Sequence, residues 1–229
     1  MLLPPIKLKP LAAALPANIR RRHVISVAAM LLLLTSAATA HAAPMVPSPA
    51  DKVLVTQIEA YLNAQKGLTA NFLQVDANGA TRTGKAWLQR PGKMRFAYDP
   101  PDPQLLVAGF GLLVYHDPQL DQTTNIPLSA TPLGILLAPH VDLESASVDI
   151  TKIIRQPGQV DLSLVRRSKE AAGTLTLSFS TDPLELRGWT VTDAQGKQTS
   201  VHLYDVAPGG PFPDSLFEYF QNNGPSMGG

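Results

Sequence analysis

Beyond its first 43 residues the chain has three histidines, His116, His140 and His202, and it has no cysteine anywhere. Nucleophilic catalysis needs an activated serine, cysteine or threonine beside a base, and phosphate chemistry needs a glycine-rich loop. Neither a Gly-Xaa-Ser-Xaa-Gly elbow nor a phosphate loop is present. His116-Asp117 lies just before Pro118 and reads as a turn pair rather than a catalytic dyad. His140-Val141-Asp142-Leu143-Glu144 puts three metal-competent side chains at alternate positions. Three such residues in a row on one edge read more simply as a solvated loop. The chain is therefore not expected to be an enzyme, and no metal or cofactor is expected.

Arg90 is the polar residue to single out. It precedes Pro91 at the end of a strand-like run, on the same face as Ala86 and Leu88. Two roles are open to it. It can be an edge arginine in a surface salt bridge, worth little. It can also sit at the rim of an apolar cavity, offering five donors to lid carbonyls or ester oxygens.

The elements that would place Arg90 follow from period and punctuation. Ser48-Pro49-Ala50-Asp51 reads as a helix start with a capping box and proline at the first helical position. Leu54, Ile58, Tyr61 and Leu62 then share one face, and Gly67 is the expected residue beyond the helix end. The run 68–77 alternates, Asn78-Gly79 signals a hairpin, and 81–90 returns with Gly84, Ala86, Leu88 and Arg90 on one face. The small residues of that face are expected to leave room behind them. Met94, Phe96 and Tyr98 alternate in the next run, 94–98; runs 104–108 and 112–116 follow around Gly109-Phe110-Gly111, and 122–126 is another short strand. Thr131-Pro132 starts a short helix over 133–138, with Leu133, Ile135, Leu136 and Leu137 apolar. Two turns of helix cannot stand alone and must dock on an apolar surface. Five more strands, 147–155, 159–166, 174–180, 186–193 and 198–206, are parted by turn residues, and Phe212, Leu216, Phe217 and Phe220 form a last apolar cluster. Ten or eleven antiparallel strands in one sheet curl strongly. The fold class is mainly β with α: a curved antiparallel sheet, or incomplete barrel, with helices as a lid.

Length allows one such domain in 229 residues. Arg20-Arg21-Arg22-His23 followed by the apolar run 24–34 is too short to span a bilayer comfortably, and Ala38-Thr39-Ala40 and His41-Ala42-Ala43 are small-residue cleavage sites. Residues 1–43 are expected to be a cleaved signal peptide, exported by the general or, through Arg21-Arg22, the twin-arginine route. Residues 44–220 are the single domain and 221–229 a flexible tail. The leader holds five of the 19 basic residues and none of the acids, so the rest carries 14 basic against 18 acidic, a net of −4. Nucleic-acid binding needs a basic footprint and is disfavoured. Without cysteine there is no lipidation site, so a free periplasmic monomer is expected.

Phe72-Xaa-Gln74, Gly84, Trp87, the run Arg90-Pro91-Gly92-Lys93-Met94-Arg95-Phe96-Xaa-Tyr98, Gly109 to Gly111, Leu113-Xaa-Tyr115-Xaa-Asp117 and Pro132-Xaa-Xaa-Xaa-Leu136-Leu137 together resemble the periplasmic outer-membrane lipoprotein carrier proteins (LolA-like). The ordered set carries the resemblance, over nearly all of the chain after the leader. It implies an unclosed β-barrel with a helical lid over a hydrophobic cavity. It implies a carrier that takes acylated lipoproteins from an inner-membrane lipoprotein-releasing ABC transporter, shields their acyl chains, and passes them to an outer-membrane acceptor. The arginine at 90 would tie the sheet rim to the lid, and Met94 would lie at the cavity mouth. The expected acyl-chain cavity is Phe72, Ala86, Leu88, Met94, Phe96, Tyr98 and Leu113; the expected lid and lid contacts are Leu54, Ile58, Leu62, Arg90, Leu133, Leu136 and Leu137. The alternative is a lipid- or lipoprotein-sensing regulatory protein of the same fold, which would ordinarily carry a second domain.

Overall fold

A computed structural model describes residues 44–167 and 173–219. The expected signal peptide 1–43, Phe220 and the expected tail 221–229 lie outside the described residues. Helix α1 spans Pro49–Ala64 and starts as its sequence dictates. The Asp51 amide donates to the Ser48 hydroxyl (3.2 Å), and the Ser48 amide donates back to the Asp51 carboxylate (3.1 Å). The Ser48 hydroxyl, which also donates to the Asp51 carboxylate (2.7 Å), then the Ser48 amide, and then Arg155 at 2.7 Å hold the Asp51 carboxyl below its ordinary range. Val55, Ile58 and Leu62 form the buried stripe of the helix. Gly67 is not the residue that ends α1. Gln65 ends it in an extended conformation, and Gly67 begins β1 (Gly67–Val75). A Cβ at 67 would lie 2.4 Å from the Gly209 carbonyl oxygen, so close strand approach, not a helix cap, requires glycine there.

The sheet continues through β2 (Thr81–Gln89), β3 (Lys93–Tyr98), β4 (Leu105–Gly109), β5 (Leu112–Asp117) and β6 (Gln122–Pro127). After a crossing segment come β7 (Val148–Gln156), β8 (Gln159–Arg166), β9 (Thr174–Thr181), β10 (Leu184–Thr192) and β11 (Gln198–Pro208). All eleven form one antiparallel sheet in the order β6-β5-β4-β3-β2-β1-β11-β10-β9-β8-β7. Strands consecutive in the chain are therefore neighbours, except β6 and β7, which stand at opposite edges. The sheet is not closed, but it curls. Phe96 on β3 and Trp189 on β10 have three strands between them, yet their rings meet edge to face at 5.8 Å. A flat sheet would hold strands four places apart at about 19 Å.

The segment between β6 and β7 must cross the open side of this curl. It carries a 3-10 turn (Leu128–Ala130) and helix α2, which covers Leu133–Leu136 only and is shorter than the expected 133–138. Thr131 does not cap α2: its hydroxyl donates to the Leu128 carbonyl (2.9 Å), tightening the preceding turn. Leu133, Ile135, Leu136 and Leu137 are all buried in the same core as Val55, Ile58 and Leu62 of α1 and the inner faces of the strands. No helix among the described residues is long and apolar enough to cross a membrane.

The room expected behind Gly84 and Ala86 is taken. The Phe72 ring lies over Gly84, where a Cβ would meet it at 2.8 Å and the Ala97 carbonyl oxygen at 2.1 Å. Gly84→Ala should therefore lower unfolding free energy by about 1–3 kcal/mol, the usual cost of overpacking. Urea unfolding followed through Trp87 and Trp189 fluorescence measures it; an unchanged midpoint would show that the ring and strand yield freely.

Candidate functional site

The rim where β2 turns into β3 is the meeting point of the two lid elements. The Arg90 amide donates to the Lys66 carbonyl (3.0 Å), as strand pairing requires. Its guanidinium Nη2 donates to the carbonyl of Gln65, the residue whose extended backbone ends α1. Two residues on, the Gly92 amide donates to the Leu137 carbonyl at the end of α2 (2.9 Å). One short turn therefore holds both helices. Arg90 is half-buried rather than exposed, burial holds its pKa below the ordinary value, and its Nη1 is fully buried with no partner. The surface salt-bridge role is not what this geometry provides, since its acceptors are neutral carbonyls.

The two lid elements are also tied to each other. Asn63 on α1 brackets Val141: its Nδ2 donates to the Val141 carbonyl (2.8 Å) and its Oδ1 accepts the Val141 amide (2.9 Å). Glu59, one turn earlier, accepts the Leu143 amide (2.6 Å). The chain from α2 to Leu143 is thus fastened to α1, and both rest on the sheet through apolar contact.

Beneath them Phe72, Ala86, Leu88, Met94 and Phe96 are buried on the inner face. Leu113 sits at the limit of burial with 9 % exposure, and Tyr98 is half-buried. Of the lid set, Ile58, Leu62, Leu133, Leu136 and Leu137 are buried and Leu54 is partly buried against the core. The rings of Phe72 and Phe96 lie 4.6 Å apart and Tyr98 meets Phe72 edge-on at 5.2 Å. The Tyr98 hydroxyl donates to Gln74 Oε1 (2.8 Å), and burial pushes its pKa well up. These side chains fill most of the interior. A cavity of about 30 Å³ remains under Arg90, lined by Leu62, Leu68, Leu88, Leu136, Leu137 and Leu186 among others, with room for about one water.

Sequence reasoning did not find Trp189, Phe179 or Asn63. A bulge between Leu186 and Gly188 shifts the register of β10, so Leu186 and Trp189 both face inward although three residues apart. Glycine inside a strand is the signal for such a bulge. Phe179 alternates correctly and meets Tyr61 at 6.1 Å, a contact between distant segments. Asn63 carries no signal on its own. The two histidine motifs take structural places. Asp117 accepts from the Gln119 and Leu120 amides in a turn (3.0 and 3.4 Å), and the Asp142 carboxylate accepts the Glu144 amide (3.2 Å).

Residues 63–220 match the family model described as "Outer membrane lipoprotein carrier protein LolA". An outer-membrane lipoprotein carrier protein of Pseudomonas syringae pv. syringae (strain B728a) is 30% identical over 200 residues, covering 83% of this chain and 95% of that protein. A protein of the same name from Pseudomonas paraeruginosa (strain DSM 24068 / PA7) is 31% identical over 167 residues, covering 68% and 78%. Another, from Methylococcus capsulatus (strain ATCC 33009 / NCIMB 11132 / Bath), is 28% identical over 181 residues, covering 75% and 86%.

The clamp and the rim should differ in what they contribute to stability. Asn63→Ala leaves both Val141 backbone groups without their partner and should cost about 1–3 kcal/mol. Arg90→Met removes one hydrogen bond but also a buried, half-satisfied charge, so the two effects offset and the change should stay within about 1 kcal/mol. Chemical denaturation of both variants tests this; the reverse order would place the main fastening at the rim.

Proposed function

Because this chain belongs to the LolA family of outer membrane lipoprotein carrier proteins, we propose that it binds the acyl chains of lipoproteins and carries them through the periplasm from the inner to the outer membrane. The observation that carries this reading is the lid. An apolar inner face is covered by α1 and α2, which are fastened to the rim by few hydrogen bonds, from Arg90 to Gln65 and from Gly92 to Leu137. The acyl chains enter where the lid side chains now lie, against Phe72, Ala86, Leu88, Met94, Phe96, Tyr98 and Leu113. Leu54, Ile58, Leu62, Leu133, Leu136 and Leu137 move with the lid.

The energetics suit a carrier. Burying an acyl chain gains about 0.8 kcal/mol per methylene, so a chain of ~15 methylenes gains roughly 12 kcal/mol. Three such chains fully buried would give roughly 36 kcal/mol, beyond the practical ceiling of about 20 kcal/mol, and would trap the cargo. Here the lid acts as a resident ligand. Taking Leu133, Ile135, Leu136 and Leu137 out of the interior forfeits about 1.5–3 kcal/mol each, roughly 6–12 kcal/mol in all. That offsets much of the gain from one chain and leaves binding reversible. Loading against the lid calls for work from an energy-using partner, an inner-membrane ABC transporter. Release calls for an outer-membrane acceptor, on which the lid closes again as the cargo leaves.

A triacylated lipopeptide should displace a fluorescent apolar probe from the purified protein, and the same peptide without acyl chains should not. Labelled lipoprotein held by the protein should then pass to outer-membrane vesicles. Equal displacement by both peptides would mean that acyl chains are not what is recognised.

A further inference from the structure

Arg90, like Arg95 and Arg166, is partly buried with no carboxylate partner among the described residues, unlike the paired cations of the structure. Arg82 bonds Asp76, Arg155 bonds Asp51, Arg167 bonds Asp149 and Lys93 bonds Asp214. The Arg90 guanidinium has only the Gln65 carbonyl, and no carboxylate of the described residues is placed to neutralise it. Its Nη1 is buried without a hydrogen-bond partner. A buried donor left unmade is costly, and a charged one more so, so each such group calls for an explanation. The surroundings supply one. Arg90 lines the small cavity under the lid together with Leu62, Leu68, Leu88, Leu136 and Leu137. The charged side chains lining that cavity are Arg90 and the exposed Lys66, both cationic, with no acid among them. An uncompensated guanidinium therefore stands at the end of an apolar slot.

We infer that the Arg90 guanidinium, uncovered as the lid gives way, is a receptor for a carboxylate at the end of an aliphatic chain, so that the protein binds free long-chain fatty acids as well as acylated cargo. The inference rests on the reading above, in which acyl chains enter under α2, because the cavity as it stands holds about 30 Å³, room for about one water. Nη2 keeps the Gln65 carbonyl while Nη1 donates to one carboxylate oxygen, and the chain takes the place of Leu136 and Leu137 along Leu62, Leu68 and Leu88. An ester carbonyl can accept the same bond but is neutral and leaves the guanidinium charge uncompensated. A carboxylate makes a charge-assisted bond, about twice as strong, in surroundings with little water to screen it. The receptor therefore ranks ligands of equal chain length by head group: acid above ester and alcohol.

The test compares laurate, methyl laurate and dodecanol by calorimetry and by displacement of an apolar probe. Wild type should bind laurate at least about tenfold tighter than the other two, a difference of about 1.4 kcal/mol. Arg90→Met, which keeps the aliphatic stem, should bind all three alike, and Arg90→Lys should keep the preference for the acid. A second readout needs no variant: the side-chain nitrogen resonance of Arg90 in isotope-labelled protein should move on adding laurate and stay in place with methyl laurate. Equal affinities in wild type, an acid preference that survives in Arg90→Met, or an unmoved Arg90 resonance at saturating laurate would overturn the inference. The triacylated lipopeptide serves as the separate control. If it binds while laurate shows no advantage, the carboxylate receptor alone is wrong. If it and all three lauryl ligands fail to bind, the carrier reading falls with it.

Discussion

A sheet of eleven strands with an apolar inner face and two unjoined edges cannot stand in water uncovered. Each Leu, Phe or Ile on that face is worth about 1.5–3 kcal/mol when buried. Closing into a barrel would cover the face, but β6 and β7 stand at opposite edges and do not pair. The cover has to come from elsewhere in the chain. The crossing segment between β6 and β7 and helix α1 before β1 supply it, and the apolar positions of both end in the same core as the strands. Lid, interior and rim all follow from that one unclosed edge.

A cover made this way is stable without being permanent. The apolar contact of α2 with the interior is large for four helical residues, but its backbone link to the rim is the Gly92–Leu137 bond. Polar ties join the lid elements through Asn63 and Glu59 to Val141 and Leu143, and others hold α1 to the sheet, from Arg155 of β7 to Asp51 and from the Leu186 amide of β10 to the Tyr61 hydroxyl. On the proposed reading the lid exchanges its apolar side chains for another apolar group of similar burial. The rim arginine sits where the end of α1, the end of α2 and the sheet meet. Its charge is kept partly desolvated by burial at that junction.

Much of this was legible in the sequence because it is written in local chemistry. Ser48, Pro49 and Asp51 announce the start of α1, and Asn78-Gly79 makes the β1–β2 turn, with Gly79 at φ 83° closing a hairpin loop. The alternation of Phe72, Ala86 and Phe96 separates inner from outer face correctly. Other features depend on contacts between segments far apart. Gly67 looks like a helix terminator until Gly209 is seen 2.4 Å from where its Cβ would be. Thr131 has the chemistry of a cap but spends its hydroxyl on Leu128. Trp189 falls on the wrong face by simple alternation, and only the bulge at Gly188 turns it inward. The small side chains of β2 suggest a hollow, whereas the Phe72 ring occupies the space over Gly84. Arg90 could be placed at a rim, but that its acceptor is Gln65 depends on how α1 ends.

The central claim is that the interior is filled by the lid at rest and opens only as a guest replaces it. The chain has no cysteine, so His140→Cys beyond α2 and Lys85→Cys on the outer face of β2 can carry the only two spin labels. The pulsed electron resonance distance between them should be single and narrow in the free protein. It should lengthen when a triacylated lipopeptide binds, and return when the lipopeptide is withdrawn into acceptor membranes. A distance distribution unchanged at saturating, calorimetrically verified lipopeptide would contradict the account, because acyl chains would then be held somewhere other than beneath the lid.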